Sequence, residues 1–225
     1  MSDVSSGEYS RKCREWLTAH TSAHAILVPS ATAALEASVY LSGIKEGDEV
    51  ILPSFAYPTC ASAIIRSGGT PVFADVRKDT LNLDPDWLQR SITSKTKAIM
   101  PIWYAGFSDC RPILEICQKN GLKLIEDAAQ AIGNFRLQGD FAAISFHFSK
   151  NVSVGEGGAL LCKPEYVKSA KTLCSCGTNR WNDRKHWGWI EAFGSSYIMS
   201  ELLTLTLYQR LQEATFVSAQ RREIW

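Results

Sequence analysis

Short apolar runs alternate with segments of helical hydrophobic period along residues 25–130. The apolar runs are rich in Val and Ile and bounded by turn residues, which is typical of buried strands, and they cover 26–28, 49–52, 71–74, 98–102 and 122–125. The intervening segments, 32–42, 58–67, 85–92 and 111–120, predict helices. This alternation predicts an α/β fold with a mostly parallel sheet flanked by helices, its strands joined by right-handed crossovers.

The pattern changes after residue 140. Residues 141–147 and 158–163 predict two strands too closely spaced for a crossover helix, and a helix is expected at about 165–174. Residues 177–196 are polar and aromatic and predict a loop, and a long amphipathic helix is expected from Tyr197 to Trp225. Because open α/β sheets bind ligands at the carboxyl ends of their strands, we expect residues that bind or react with a ligand there.

Composition and charge favour a globular protein with a small-molecule partner. The 225 residues are 45% hydrophobic and 21% charged, enough for a core that needs neither disulfide nor metal. A net charge of +1 provides no electrostatic reason to expect nucleic acid or an anionic membrane. With no basic leader followed by an apolar core and no run near the ~20 apolar residues of a membrane span, we expect a cytoplasmic protein without a membrane partner.

The seven cysteines form an odd set, and five of them stand singly inside apolar stretches, which favours reduced thiols. Cys174 and Cys176 form a C-x-C pair with no second pair and no histidine before His186. Packing explains this pair better than zinc, so no metal site is expected.

The first candidate for ligand chemistry is the strand end at residues 28–35, which runs through small and hydroxyl side chains into a helix. Free amides at a helix N-terminus and the helix dipole bind phosphate groups. The alternative is that Ser30 only caps the helix.

The second candidate is the acidic pair Glu126 and Asp127, which follows the strand at 122–125. A carboxylate at this position can hold a cationic ring nitrogen, and the alternative is another helix cap.

The third candidate is Lys150, which lies at the end of a buried strand between serines and a glycine-rich turn. Loss of solvation there would favour the neutral, nucleophilic amine, whereas an isolated lysine is most often solvated. His147 taken alone is better explained as a packed core imidazole than as a ligand. The glycines at 155, 157 and 158 do not form a dinucleotide fingerprint because a strand, not a helix, follows them.

Taken together, these segments resemble the DegT/DnrJ/EryC1/StrS family of fold-type-I, pyridoxal-phosphate-dependent sugar aminotransferases. The matching motifs occur in order as GDEVILPSF (47–55), EDAAQ (126–130), SKN (149–151) with GEGG (155–158), GTNR (177–180) and GSSYIMS (194–200). Within the family, the chain is most similar to the aminotransferases that act on dTDP-4-keto-6-deoxyglucose. The resemblance implies a cofactor-binding large domain at residues 1–196, then a long helix at 197–225 leading toward a small domain that is missing.

The resemblance also implies the roles of individual residues. Lys150 is the Schiff-base lysine, Asp127 holds the protonated pyridine nitrogen, Tyr57 stacks on the ring and Gln130 meets its phenolic oxygen. The phosphate is bound by Ala31, Thr32, Ser145 and, from a neighbouring subunit, Ser196.

The expected reaction is transfer of an amino group, with glutamate as the expected donor, to a nucleotide-linked 4-keto-6-deoxy sugar, as a step in the synthesis of lipopolysaccharide or antigen sugars. The loop at 178–196 holds cations and tryptophans, and we expect it to form a homodimer interface with shared active sites. Arg180 and Trp181 are the candidate substrate contacts. The alternatives are a loop folded into its own core and, for the whole chain, a truncated relative that binds cofactor or partner without turnover. A dehydratase of the same family is disfavoured because those members have histidine at the position of Lys150.

Overall fold

A seven-stranded sheet forms the centre of the computed structural model, which describes residues 7–106, 110–182, 185–191 and 193–224. The strands are β1 (His24–Val28), β2 (Glu49–Pro53), β3 (Thr70–Ala74), β4 (Thr96–Ile99), β5 (Lys123–Asp127), β6 (Phe141–Ser145) and β7 (Gly158–Cys162). Their spatial order is β1-β7-β6-β5-β4-β2-β3. The helices are α1 (Glu8–Thr21), α2 (Ala31–Leu41), α3 (Pro58–Arg66), α4 (Pro85–Ser91), α5 (Arg111–Asn120), α6 (Val167–Cys174) and α7 (Glu201–Ile224).

The sheet is mostly parallel, as the alternating pattern predicts. Strands β2 to β6 pair in parallel, whereas β7 runs antiparallel to both of its neighbours, β6 and β1. The connection from Ser145 to Gly158 is too short for a crossover helix, so β7 returns beside β6 in the opposite direction.

Helices cover both faces of the sheet. One face packs α2, α3 and α6 over residues such as Val28, Leu52 and Phe141. The other face is divided between α1 with α7 over β1, β6 and β7, and α4 with α5 over β2, β4 and β5. Both faces are buried along the central strands, which explains why these strands are continuous apolar runs in the sequence.

The clearest differences from the sequence-based prediction are two element boundaries and one helix. Strand β4 ends at Ile99 because Pro101 has no N–H with which to continue the ladder. Helix α7 begins at Glu201, not Tyr197, because the Tyr197 amide donates to the Cys174 carbonyl oxygen (3.1 Å) instead of entering a helix. Helix α1 was not predicted at all.

Helix α1 is hard to recognise in sequence because its buried stripe is short and partly polar. Its buried residues are Ser10, Cys13, Leu17 and Thr21, which have helical spacing but few large apolar side chains. The stripe packs against Leu207 and Leu211 of α7, which themselves repeat at helical spacing. Tertiary packing thus stabilises a helix that has a weak local signal.

All seven cysteines are free thiols, and six of them are buried, including Cys174. Within the described ranges no cluster of three or more His, Cys, Asp or Glu side chains is placed to hold a metal ion. No helix in those ranges is both long and apolar enough to cross a membrane.

Candidate active site

A cavity of about 330 Å³ opens where the parallel strands β1, β2, β4, β5 and β6 end, which is the edge at which ligand binding was expected. This volume lies within the range of small-molecule and cofactor sites. Of the predicted cofactor-binding residues, those lining it are Ala31, Thr32, Tyr57, Asp127, Gln130, Ser145 and Lys150. Because these residues come from five separate segments, the fold has assembled a single site from them.

The N-terminus of α2 forms one wall of the cavity. Ser30 caps this helix, since its Oγ accepts from the Ala33 amide (3.1 Å), and it also lines the cavity. The amides of Ala31 and Thr32 occupy the first two helical positions, where no intrahelical acceptor exists. Ser30 can therefore cap the helix while the segment also binds phosphate, because the cap leaves the Ala31 and Thr32 amides available to an anion.

A glycine allows this helix end to lie against the sheet. Gly158 on β7 pairs with Val28 and Ser145, the last residues of β1 and β6. A Cβ at Gly158 would lie 2.5 Å from the Ser30 carbonyl carbon and 2.6 Å from the Ala31 nitrogen. Only glycine permits this approach, which brings the α2 amides beside the hydroxyl of Ser145.

Asp127 lies at the end of β5 with 4% of its surface exposed. Its Oδ1 accepts from the Ala129 amide (3.0 Å), and its Oδ2 accepts from the Cys60 thiol (3.1 Å). Burial raises the pKa of this carboxyl, and the two hydrogen bonds and the charge of Lys150 act in the opposite direction. The helix-cap alternative is wrong, because residues 129–134 form turns and not a helix.

Glu126 faces the opposite side of the sheet from Asp127, since successive side chains of a strand alternate. It is fully buried and accepts hydrogen bonds from Trp103 Nε1 (3.1 Å) and from the amides of Gln138 (3.0 Å) and Gly139 (2.7 Å). Burial raises the pKa of Glu126 to about 7. Only one member of the acidic pair therefore faces the cavity, and the other anchors the chain that leads to β6.

Lys150 lies in the turn that follows β6, where its backbone amide donates to the His147 carbonyl oxygen (2.9 Å). Its side chain lines the cavity and is half-buried, so it is partly shielded from solvent. The amine thus shares the cavity with the Asp127 carboxylate.

His147 is not the packed core imidazole expected from the sequence. Its side chain is 35% exposed and lines the cavity, with Nδ1 2.9 Å from Ser149 Oγ and Nε2 3.5 Å from Glu156 Oε1. His147 stands between Phe146 and Phe148 in the sequence, but β6 ends at Ser145, so these apolar neighbours do not place it in the core.

Tyr57 and Gln130 lie on other sides of the same cavity. Tyr57 caps α3 and is 71% exposed, so that its ring offers a flat apolar face. Gln130 is oriented by the Ala105 amide, which donates to its Oε1 (2.9 Å). The NH₂ group of the Gln130 side chain can therefore donate a hydrogen bond to a ligand in the cavity.

Tyr104 is a lining residue that the sequence reasoning missed. Its ring stacks on Phe55 with centroids 5.1 Å apart, and its buried hydroxyl has no hydrogen-bond partner among the residues that the structure describes. Burial raises its pKa to about 12, and the negative charge of Asp127 adds to this effect. No local sequence signal marks this residue, which follows β4 in a short 3₁₀ turn.

The donor set of the cavity fits pyridoxal phosphate. The α2 amides and the Ser145 hydroxyl suit an anionic phosphate, and the half-buried Lys150 amine suits the cofactor aldehyde. The buried Asp127 carboxylate suits a protonated pyridine nitrogen.

Ser196, Arg180 and Trp181 do not line the cavity of their own chain. Ser196 forms a bridge with Ser175 beyond α6, and Trp181 Nε1 donates to Thr172 Oγ1 on that helix (3.2 Å). Arg180 is half-buried, and its buried Nε has no hydrogen-bond partner within the described part of the chain.

The aromatic loop is only partly packed against its own chain. Trp187 and Trp189 are 55% and 83% exposed, which contradicts the alternative of a loop folded into its own core for these two residues. Arg184, another cation of this loop, lies outside the described residues.

The chain belongs to the DegT/DnrJ/EryC1/StrS aminotransferase family, whose sequence profile matches residues 2–225. The prediction of the family, and with it of pyridoxal phosphate as the cofactor, is confirmed.

Two curated relatives and two solved structures illustrate the similarity. The chain is 35% identical over 215 residues to spore coat polysaccharide biosynthesis protein SpsC of Bacillus subtilis, covering 89% of this chain and 55% of SpsC. It is 38% identical over 186 residues to GDP-perosamine synthase of Caulobacter vibrioides, covering 80% of this chain and 49% of that enzyme. The crystal structure of 3-amino-5-hydroxybenzoic acid synthase superposes with a TM-score of 0.89 at 31% identity, covering 98% of this chain and 60% of that chain. The ntda protein of Bacillus subtilis with bound cofactor PMP gives a TM-score of 0.87 at 29% identity, covering 94% of this chain and 49% of that chain.

These likenesses confirm the fold-type-I large domain. The chain spans about half the length of the curated relatives that it matches.

Proposed function

We propose that the protein is a pyridoxal-phosphate-dependent aminotransferase that carries an amino group from glutamate to a nucleotide-linked 4-keto-6-deoxy sugar. The observation that carries this proposal is the meeting of Lys150, Asp127 and the α2 amides in one cavity. Sugar aminotransferase relatives support the substrate class, and we retain dTDP-4-keto-6-deoxyglucose as the proposed member of it.

Each cavity residue has a role that its chemistry supports. When bound, the cofactor withdraws electrons from the amine-bearing carbon of the substrate. The Asp127 carboxylate keeps the ring nitrogen protonated, and Tyr57 covers the ring face. Gln130 donates to the phenolic oxygen. The phosphate is held by the amides of Ala31 and Thr32 and by the hydroxyl of Ser145.

Lys150 has two proposed roles. With pyridoxal phosphate bound, its Nζ would hold the cofactor aldehyde covalently until a substrate amine takes its place. The Nζ would also accept the proton of the amine-bearing carbon and deliver it to the cofactor side. The retained lysine is also the reason to prefer transamination over the dehydratase reaction.

We propose that the protein acts as a cytoplasmic homodimer with shared active sites. The exposed Trp187 and Trp189 support an interface, because large aromatic side chains are enriched there. In this arrangement Ser196 of one subunit contacts the cofactor phosphate of the other, and Arg180 and Trp181 contact the nucleotide sugar. The free thiols suit a reducing compartment. We also propose a cofactor-binding large domain at residues 1–196, followed by a connecting segment at 197–225 that contains α7.

Covalent labelling tests the proposal directly. Purified protein mixed with pyridoxal phosphate is expected to gain an absorption band near the visible edge, and borohydride is expected to fix the cofactor to the peptide that contains Lys150. Lys150→Ala should abolish the band, whereas the exposed-lysine control Lys95→Ala should keep it. A label on a different lysine, or no band in the unmodified protein, would refute the proposed function.

A further inference from the structure

A thiol on α3 contacts the carboxylate at the end of β5. Cys60 Sγ lies 3.1 Å from Asp127 Oδ2, although the two residues are 67 positions apart in the chain. Cys60 is fully buried and Asp127 nearly so. The Cys60 amide also donates to the Tyr57 carbonyl oxygen (3.0 Å), so Cys60 lies in the first turn of the helix that Tyr57 caps. One hydrogen bond therefore links the segment that carries Tyr57 to the strand that carries Asp127.

The thiol is the donor in this hydrogen bond. Burial raises the pKa of Cys60, and the negative charge of Asp127 raises it further, so the sulfur keeps its proton at neutral pH. Asp127 as a carboxylate can only accept. Its Oδ1 already accepts from the Ala129 amide, so each oxygen has one internal donor and a remaining lone pair for the cavity.

Few other groups hold Asp127 in its ionised form. Burial favours the neutral acid, and the charge of Lys150 after β6 favours the carboxylate. Tyr104 also faces Asp127 after β4, and its raised pKa leaves its hydroxyl neutral at physiological pH. The Cys60 thiol and the Ala129 amide are the hydrogen bonds that oppose the cost of burying the charge.

We propose that Cys60 is a positioning residue for Asp127, whose thiol keeps the carboxylate ionised and fixes its orientation relative to Tyr57. Asp127 at the ring nitrogen and Tyr57 at the ring face of the cofactor would then keep fixed positions relative to each other. This inference rests on the proposed function, because it assigns a purpose to the contact only if the cavity binds a pyridine ring.

The expected effect of removing the donor has a definite direction. Without the thiol proton, Asp127 is easier to protonate, and the ring nitrogen loses part of its anionic partner. The cofactor would then withdraw electrons less strongly. The nitrogen that joins Lys150 to the cofactor should therefore keep its proton up to a higher pH. A weak hydrogen bond to a charged group corresponds to a shift of about one pKa unit.

The experiment compares the variants Cys60→Ala, Cys60→Val and Cys60→Ser with Cys117→Ala, a buried thiol on α5 away from the cavity. The readouts are the pH midpoint of the visible band with pyridoxal phosphate and the unfolding midpoint without it. Cys60→Ala and Cys60→Val should raise the pH midpoint by at most about one unit, and Cys60→Ser should restore most of the original value because serine donates. Cys117→Ala should lower the unfolding midpoint without moving the pH midpoint.

The outcomes separate the two proposals. If the unmodified protein gives no band, the proposed function fails and this inference fails with it. If the band is present and the Cys60 variants leave its pH midpoint unchanged, Cys60 has only a packing role and this inference alone is overturned. Cys60→Val replaces the thiol with a side chain that fills the same space, so a loss of folding in Cys60→Ala does not prevent a decision.

Discussion

The buried carboxyl of Glu126 predicts an unusual dependence of stability on pH. Its pKa rises from 4.5 to about 7 in the folded protein because burial disfavours the charge. Between these values the folded state binds a proton that the unfolded chain has released, so the free energy of unfolding decreases as pH rises. The stabilisation is fully present below about pH 4.5 and is lost as pH passes 7.

The size of this effect follows from the shift. A difference of about 2.5 pKa units corresponds to about 3 kcal/mol of stability between pH 4.5 and pH 8. Glu126→Gln replaces the carboxyl with a neutral amide of the same shape, whose single carbonyl oxygen cannot serve both Trp103 and the Gly139 amide in their present places. We expect the variant to be about 1 kcal/mol less stable than the unmodified protein at pH 5 and about 2 kcal/mol more stable at pH 8.

The assay is urea unfolding at several pH values between 5 and 8, with the free energies of the two proteins subtracted. Subtraction removes the contribution of Asp127, whose raised pKa acts in the same direction in both proteins. Glu15→Gln, at an exposed carboxylate on α1, is the control and should leave the profile unchanged. Parallel profiles for Glu126→Gln and the unmodified protein would show that the three N–H donors hold Glu126 ionised, and the reasoning from burial would be refuted.

Two further predictions address the helix end and the dimer. Gly158→Ala should place a Cβ 2.5 Å from the Ser30 carbonyl carbon, lowering stability by about 1–3 kcal/mol and weakening pyridoxal phosphate binding, whereas Gly188→Ala meets open space and should do neither. Urea unfolding and a spectral titration measure both effects, and equal behaviour of the two variants would contradict the role of Gly158. Mixing Lys150→Ala with Arg180→Ala protein should regain aminotransferase activity beyond the parental average, because one of the two sites in each mixed dimer is free of both changes. No regain across mixing ratios, with subunit exchange verified, would contradict shared sites.

Local sequence patterns determined most of the secondary structure and the chemistry at the ends of the strands. Alternating apolar runs predict β1, β2, β3 and β5 to within two residues at each end, because burial on both faces leaves a continuous hydrophobic signal. The motifs around Asp127 and Lys150 indicate the cofactor through their resemblance to the family. Their positions at the end of β5 and in the turn after β6 lie at the ligand-binding edge of an α/β sheet. These are properties of residues close together in the chain.

The tertiary structure decided which distant residues meet. The contact of Cys60 with Asp127 depends on where α3 packs relative to β5, and the local sequence of neither segment indicates this. The same holds for the open setting of His147, for the Tyr104 hydroxyl beside the cavity, and for α1, whose short polar stripe is stable only against α7. Hydrophobic periodicity specifies which face of an element is buried but not what covers it, because strand order and helix docking arise from packing the whole chain at once.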